Sequence, residues 1–277
     1  MTVRVVPSII SGIVSIPPET NQLIQMIEKE LPGEQALFIE GIAMNDEISN
    51  YLSKLQEAGK STDLSRDPYS AQQYTLAIRG NLPRIKLSIA ADFSLAAPWI
   101  CMAALGCNLT VSNLCKDSRT DDAYLLSLLE EMGVCLRRKV IGMEFRSNGL
   151  SAIRADLSGY DNLLPYICAL SAVANGISCI TFRRNQQEQD ELFHYCHEML
   201  ESIGCDVAIT DDSLMIRGKQ RIDGGIIDTH DDGRIALAAI ALSAASAGDM
   251  IISHPQSIDR IYPSFWTEYQ RCGGNVL

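Results

Sequence analysis

The chain of 277 residues is long enough for one large domain or two ordinary ones, each with its own core. It is 47% apolar and 21% charged, as globular proteins are, and no apolar run reaches the ~20 residues that a membrane span needs. The net charge of −11 disfavours a nucleic-acid partner, because such a partner requires a basic surface to displace its counterions.

Nine cysteines are scattered along the chain without a C-x-x-C pair. An odd number without paired spacing is typical of reduced thiols, so we expect a cytoplasmic protein with neither a disulfide framework nor a zinc site. Cys101, Cys168 and Cys196 lie in stretches with helical apolar patterns, which places them in the predicted core. The N-terminal residues lack the layout of a signal peptide.

Strands and helices alternate from the N-terminus onward. Residues 3–16 are rich in β-branched side chains and predict one or two strands. Residues 21–30 have helical apolar spacing, residues 36–39 resemble a strand, and residues 45–58 predict a second helix.

This order of apolar helix, glycine, short strand, second helix and glycine occurs four times. The glycine after the first helix is Gly33, Gly106, Gly176 and Gly248 in turn, and the glycine after the second helix is Gly59, Gly133, Gly204 and Gly273 or Gly274. Equivalent glycines in successive units are 69 to 74 positions apart. A period of this length predicts four copies of one βαβα-type unit.

The first helix of each of the last three units is almost free of charged residues. These helices are predicted over 94–105, 164–174 and 234–247. Because a helix that is apolar on all sides belongs in a core, we expect the three to pack against one another with sheets outside them. The alternative interpretation is a single ordinary α/β sheet with helical crossovers.

Residues 230–237 (H-D-D-G-R-I-A-L) predict the N-terminus of the last apolar helix. A helix N-terminus offers free N–H groups and the positive end of the helix dipole. Arg234 in its first turn would add a planar cation that suits phosphate or carboxylate. The alternative is an ion pair between Arg234 and Asp231 or Asp232.

Five segments resemble the EPSP synthases of the enolpyruvyl transferase family. Residues 229–237 (T-H-D-D-G-R-I-A-L) are similar to T-Y-x-D-H-R-M-A-M, and residues 254–265 (H-P-Q-S-I-D-R-I-Y-P-S-F) to D-P-x-x-x-x-K-x-[FY]-P-x-[FY]. Residues 92–97 (D-F-S-L-A-A) resemble part of G-D-x-S-x-A, residues 187–192 (Q-E-Q-D-E-L) resemble K-E-[ST]-D-R-[IL], and residues 11–18 resemble the opening strand.

The resemblance implies an α/β fold of repeated βαβα units with buried parallel helices in a pseudo-three-fold domain. The family pairs two such domains around a cleft and is longer than this chain. We therefore expect residues 1–18 and 72–277 to form one three-repeat domain, and residues 19–71 to be a single-repeat remnant of the second.

Several charged positions of the family motifs are changed here. The family's Ser-Lys…Arg motif falls on Glu19-Thr20 and Gln25, its aspartate acid–base on Tyr166, the lysine and arginine of K-E-[ST]-D-R on Gln187 and Glu191, and the histidine of D-H-R on Gly233. Each preorganised charge contact in such a site is typically worth about 2–4 kcal/mol, so EPSP synthase turnover by this chain alone is not expected.

The remaining candidates fall into two groups. Arg234, Arg260, Asp232 and Gln187 are the predicted anion-binding residues, and Glu188, Asp190 and Tyr166 are the predicted proton-transfer residues. The alternatives are ion pairs of the arginines with Asp232 or Asp259, helix-dipole contacts of the two carboxylates, and a core or cleft-wall role for Tyr166.

No cofactor or metal is predicted. No glycine-rich phosphate loop is present, and His194 and His197 share a helix face without a third ligand nearby in sequence. The functional hypothesis is a divergent family member with a degraded catalytic site and at most a residual site for a phosphoenolpyruvate- or shikimate-3-phosphate-like anion. The alternatives are a repurposed enzyme, an enzyme completed in a homo- or hetero-oligomer, and RNA-end processing, which the acidic balance disfavours.

Overall fold

The computed structural model describes residues 2–17, 20–30, 35–44, 46–66, 73–79, 82–87, 92–112, 114, 124–219 and 221–277. Strands and helices alternate along them as predicted. The strands are β1 Thr2–Val6, β2 Ser11–Ser15, β3 Gln35–Ala43, β4 Thr62–Arg66, β5 Gln73–Ile78, β6 Leu82–Leu87, β7 Asn108–Ser112, β8 Cys135–Arg138, β9 Met143–Arg146, β10 Arg154–Asp156, β11 Ile177–Thr181, β12 Asp206–Ile209, β13 Ser213–Arg217, β14 Gly225–Ile227, β15 Met250–Ser253 and β16 Asn275–Val276. The helices are α1 Thr20–Glu30, α2 Asp46–Glu57, α3 Phe93–Ala104, α4 Tyr124–Glu131, α5 Leu164–Ser171, α6 Gln187–Ser202, α7 Gly233–Ser243, α8 Ser257–Ile261 and α9 Phe265–Arg271.

The described strands form four separate four-stranded sheets with one common topology. Their orders are β6-β3-β5-β4, β2-β7-β9-β8, β10-β11-β13-β12 and β14-β15-β1-β16. In each sheet the first pair is parallel and the next two pairs are antiparallel. The predicted four-fold repeat is therefore confirmed, and the alternative of one continuous sheet is wrong.

The glycines that end the second helices share one backbone conformation. Gly59, Gly133, Gly204 and Gly273 have φ values of 81°, 90°, 68° and 97°. The left-handed region lets glycine close a helix at low cost, which explains why the same residue recurs at the same place. Gly33, the first glycine of the first unit, lies outside the described residues.

The three apolar helices α3, α5 and α7 contact one another in every pairing. All residues of α5 are buried, and so are all residues of α7 except Arg234. The three sheets that contain β7, β11 and β15 cover this bundle on the outside, and the helices and the inner faces of these sheets form one continuous core. Cys101, Cys168 and Cys196 are fully buried in it, as predicted.

The unit around β3 has a separate small core. Leu23, Ile27, Leu37 and Ile78 are among its members, and they pack away from the main core. Strands β5 and β6 are hydrogen-bonded to β3, although the sequence analysis assigned residues 72 onward to the larger domain. The boundary at residue 72 therefore cuts through one sheet. The division into domains itself stays a prediction.

The first two strands of the chain, β1 and β2, show how the larger unit is assembled from distant segments. β1 pairs with β15 and β16, and β2 pairs with β7, so the first strands complete sheets formed 90 or more positions later. The backbone N–H of Asp92 donates to the carbonyl of Pro17 at 2.9 Å, which brings the start of α3 beside the end of β2. Among the described helices, none combines the length and apolar character needed to cross a bilayer.

Candidate functional site

Arg234 lies at the N-terminus of α7, where the sequence predicted it. Asp232 is the N-cap of this helix, and its carboxylate accepts the Arg234 backbone N–H at 2.8 Å. The same carboxylate accepts the Arg234 side chain through Nε at 3.1 Å and Nη2 at 2.6 Å. Both side chains are largely buried, with 18% and 15% exposure, so water screens this ion pair weakly.

Glu188 in the first turn of α6 is the second carboxylate near Arg234. Its Oε1 lies 3.5 Å from Arg234 Nη2, but the Glu188 side chain is 76% exposed. Burial lowers the pKa of Arg234, whereas the hydrogen bond and charge of Asp232 and the charge of Glu188 raise it, and the net direction is upward. The guanidinium is therefore a permanent cation that the protein has already neutralised.

Arg260 occupies a different position from Arg234. It forms an ion pair with Asp231, not with Asp259, and its side chain is 61% exposed. Exposed pairs of this kind contribute little to stability. Arg260 and Asp231 form a surface pair beside the α7 N-terminus, so the structure brings Arg234, Asp232 and Glu188 together and leaves Arg260 outside that group.

The other candidates are spread over two environments. The Gln187 amide donates to Glu191 Oε1 at 2.8 Å, and Asp190 accepts Arg184 Nη1 at 2.6 Å, all at the exposed start of α6. Tyr166 is in α5 and only 2% exposed, so its phenol lies in the core. The core alternative for Tyr166 agrees with this burial.

Arg184 is a largely buried cation, with 20% of its side chain exposed, that was not predicted from the sequence. It follows β11, its guanidinium donates to the carbonyl of Asp211, and it lies 4.4 Å from the centroid of the Phe193 ring. With Gln187, Asp190 and Asp212 it lines an open cleft of about 630 Å³. Its place three residues after the end of β11 is the signal that could have identified it, because polar side chains that follow strand ends line clefts in α/β folds.

A second polar group lies at the ends of β14 and β15. Asp228 Oδ1 accepts the His230 backbone N–H at 3.0 Å and the Ser253 hydroxyl at 2.7 Å, and lies 3.6 Å from His254 Nδ1. The His230 ring stacks on Tyr195 with 4.2 Å between centroids, and its Nε2 lies 2.6 Å from Glu198. His230 and His254 have φ values of 50° and 46°, a strained conformation that these contacts hold in place.

The Asp228 hydrogen bonds predict a specific pH dependence of stability. The His230 backbone N–H is the largest cause of a lowered Asp228 pKa, followed by the Ser253 hydroxyl. A lowered pKa means that the contribution to stability is present above the unfolded-state pKa of about 3.9 and is lost as the pH falls through the folded-state value. We expect Asp228→Asn to be less stable than wild type at neutral pH, and this difference to vanish in acid as Asp228 becomes protonated.

Denaturant titrations at a series of pH values measure this difference. Asp206→Asn is a suitable control, since its carboxylate is 75% exposed and pairs with the exposed Arg217. A stability difference for Asp228→Asn that persists unchanged below the folded-state pKa would contradict the assignment to charge.

The arrangement favours a polar site whose positive charges are already neutralised by carboxylates of the same chain. Two largely buried cations, Arg184 and Arg234, each have an aspartate as a close partner, and Glu188 adds a further negative charge. Within the described residues, no three His, Cys, Asp or Glu side chains come together to hold a metal ion. An incoming anion would have to displace a carboxylate to reach either guanidinium.

Residues 38–269 match the family model of EPSP synthase (3-phosphoshikimate 1-carboxyvinyltransferase). The 3-phosphoshikimate 1-carboxyvinyltransferase of Clostridium kluyveri is 32% identical over 203 residues, which cover 72% of this chain and 47% of that protein. The counterpart in Clostridium acetobutylicum is 24% identical over 269 residues, covering 96% of this chain and 62% of that one. The chain spans about half the length of the first of these curated relatives.

Solved structures share the fold at low sequence identity. An EPSP synthase from Acinetobacter baumannii superposes with a TM-score of 0.74 at 12% identity, covering 100% of this chain and 99% of that one. The enolpyruvyl transferase NikO from Streptomyces tendae superposes with a TM-score of 0.54 at 16% identity, covering 96% of this chain and 65% of that one. At these identities the likeness concerns the fold alone.

Proposed function

The chain belongs to the EPSP synthase family, and on that basis we propose that it is a divergent member whose catalytic site no longer supports enolpyruvyl transfer by this chain alone. At most it retains a weak site for a small phosphorylated or carboxylic acid at Arg234. The chain spans about half of its curated relatives, so their activity is carried over here only as a proposal.

The observation that carries the proposal is the neutralisation of Arg234. Its guanidinium donates hydrogen bonds to both carboxylate oxygens of Asp232 and lies 3.5 Å from the carboxylate of Glu188. A site that binds a dianion needs net positive charge, because the desolvation of the anion must be offset by fixed cations. Gln187 and Glu191, at the lysine and arginine positions of the family motif, bond to each other and supply no such charge.

The packing around Gly233 supports the same conclusion. This glycine stands where the family motif has histidine, and a Cβ built on it would lie 2.7 Å from the Ser257 carbonyl oxygen and 2.6 Å from Ile261 Cδ1. Helix α8 therefore occupies the space into which a side chain would extend. A histidine cannot be accommodated at position 233 unless α8 moves, so the packing of α8 is incompatible with the imidazole of the family motif.

For the domain organisation we propose one unit built from residues 2–15 and 92–277 and a second built from residues 20–87. The separate core around Leu23 and Ile39, and the pairing of β5 and β6 with β3, support this division.

The free thiols of the described cysteines favour a reducing, cytoplasmic location.

Calorimetric titration with phosphoenolpyruvate and with shikimate 3-phosphate tests the residual site. We expect a Kd on the order of 1 mM or weaker for wild type, and a loss of about tenfold or more in Arg234→Ala. Arg260→Ala is the matched control, because its guanidinium is exposed and lies outside the Arg234 group; it should retain wild-type binding.

Phosphate release from phosphoenolpyruvate and shikimate 3-phosphate supplied together is the measurement that tests whether enolpyruvyl transfer has been lost. Phosphate release by the chain alone at the rate of an ordinary enzyme would contradict the proposal. A heat of ligand binding that is unchanged in Arg234→Ala would instead show that Arg234 is not part of the binding site. It would not bear on the loss of turnover.

Completion by another subunit is the second candidate function. The start of α6, which carries Gln187, Glu188 and Asp190, is exposed and borders an open cleft, so a second chain could reach it. A partner that restores phosphate release when added to the chain would favour this candidate.

A further inference from the structure

Two hairpins of the larger unit have two-residue loops, one of which is apolar and the other acidic. β8 and β9 are closed by a hydrogen bond from the Lys139 N–H to the Gly142 carbonyl at 2.7 Å, and β12 and β13 by one from Thr210 to Ser213 at 2.9 Å. The loop residues are Val140-Ile141 in the first hairpin and Asp211-Asp212 in the second. The two loops are 71 positions apart and therefore equivalent in the repeat.

The apolar loop is not required by its geometry. Polar turn-forming residues dominate such loops, because their side chains bond to the backbone and stay in water, and Asp211-Asp212 follow that rule. Val140 is 105% exposed and Ile141 is 43% exposed, so neither packs against the core. Because aspartates serve in the same turn, the exposed β-branched pair is not needed to form the turn and is available for contact with another molecule.

The apolar loop lies in a basic segment of an acidic protein. Residues 135–146 contain Arg137, Arg138, Lys139 and Arg146 against one acid, Glu144, in a chain of net charge −11. Glu144 lies 3.5 Å from Lys139 Nζ and 3.8 Å from an Arg146 nitrogen, so it is shared between them. The hairpin thus presents an apolar tip flanked by a segment of net positive charge.

Both loops lie at the same end of the fold. The ladder aligns Val111, near the end of β7, with Met143, and Thr181, at the end of β11, with Ser213, so each loop follows the carboxyl end of a repeat's central strand. Tyr124 begins α4 at that end of the repeat that contains β7. Its ring lies 4.9 Å from that of Tyr160, which follows β10 in the next repeat.

We propose that the 139–142 hairpin docks on the Asp211-Asp212 hairpin of a second copy of this chain, and that the contact is repeated around a two-fold axis. Lys139 and Arg138 would face Asp211 and Asp212, and Val140-Ile141 would pack beside Ile209, which is 41% exposed next to the acidic loop. The inference is independent of any anion binding at Arg234.

The charges at this end of the fold favour a second copy over a lipid surface. An anionic membrane would attract the basic hairpin, but it would repel Asp211 and Asp212 at the same end of the fold, where Arg184 and Asp190 already pair with each other. A second copy supplies the complementary pair of patches in one surface. Two-fold symmetry then doubles each contact, which a single small loop needs in order to give a stable interface.

Charge reversal provides the test on the full chain. Mass measurement by sedimentation over about 1–100 μM should show a dimer that weakens as salt is raised, since salt screens exposed charges. R138E/K139E and D211K/D212K should each weaken the dimer Kd by about tenfold or more, because each variant opposes like charges. Mixing the two variants should restore dimers, because both contacts of the mixed pair are again complementary.

V140D/I141D tests the apolar part, because it copies the natural loop of the neighbouring repeat and should fold normally, as checked by circular dichroism. It should also weaken the dimer. A strict monomer for wild type at every concentration would overturn the proposal, and so would reversal variants that dimerise alone but not better when mixed. Binding of wild type to phosphatidylserine vesicles with no dimer would assign the hairpin to a membrane instead.

Discussion

Replacing Trp99 by alanine is expected to lower the free energy of unfolding by about 3–5 kcal/mol, the usual cost of removing a large aromatic side chain from a core. Trp99 is fully buried in α3. Its indole N–H donates to the Tyr262 hydroxyl at 3.3 Å, and its ring lies 5.2 Å from that of Phe265. The side chain therefore joins the first apolar helix to the segment that follows the last one, and its loss would leave a cavity between repeats.

Trp266→Ala is the matched control, because Trp266 packs on Phe265 and Tyr269 but is only partly buried. It should cost about 1–2 kcal/mol, since less apolar area is removed from contact. Urea denaturation followed by circular dichroism measures both values. Equal losses in the two variants would show that the contact between repeats is not the source of the stability.

The repeat architecture could be predicted from the sequence because its physical signals are local. The recurring glycines mark helix ends that require positive φ, as Gly133 and Gly204 do, and the apolar helices leave no polar face for solvent. The sheet to which β5 and β6 belong could not be predicted, because a strand's sequence does not show which sheet it joins. Hydrogen bonds to β3 decide that, and they are non-local.

The site was predicted in part for the same reason. Asp232 and Arg234 are two positions apart, so their contact follows from the helix start that the sequence indicates. Glu188 comes from a different repeat, and Arg184 is oriented by Phe193 and by the Asp211 carbonyl, which only the fold brings near. Motif comparison therefore identified the residues at helix starts and missed the cation at a strand end.

Replacing Asp232 by asparagine is expected to cost about 1–3 kcal/mol of unfolding free energy, because a hydrogen-bonded charge partner of a buried cation is lost. Asparagine caps helices as well as aspartate does, so this variant removes the charge and keeps the cap. Asp232→Ala removes both and should cost about 1 kcal/mol more. The difference between the two variants separates the cap of α7 from its ion pair with Arg234.

Asp231→Asn is the control, since its carboxylate pairs with the exposed Arg260 and asparagine tolerates the local φ of 61°. It should change the free energy of unfolding by no more than about 0.5 kcal/mol. Asp232→Asn also frees the Arg234 guanidinium, so phosphate affinity should rise in that variant although its stability falls. A rise in affinity that Arg234→Ala abolishes would establish that Asp232 closes the site. Unchanged affinity in Asp232→Asn would mean that Arg234 serves the fold alone, as the pair that fixes the start of the last buried helix.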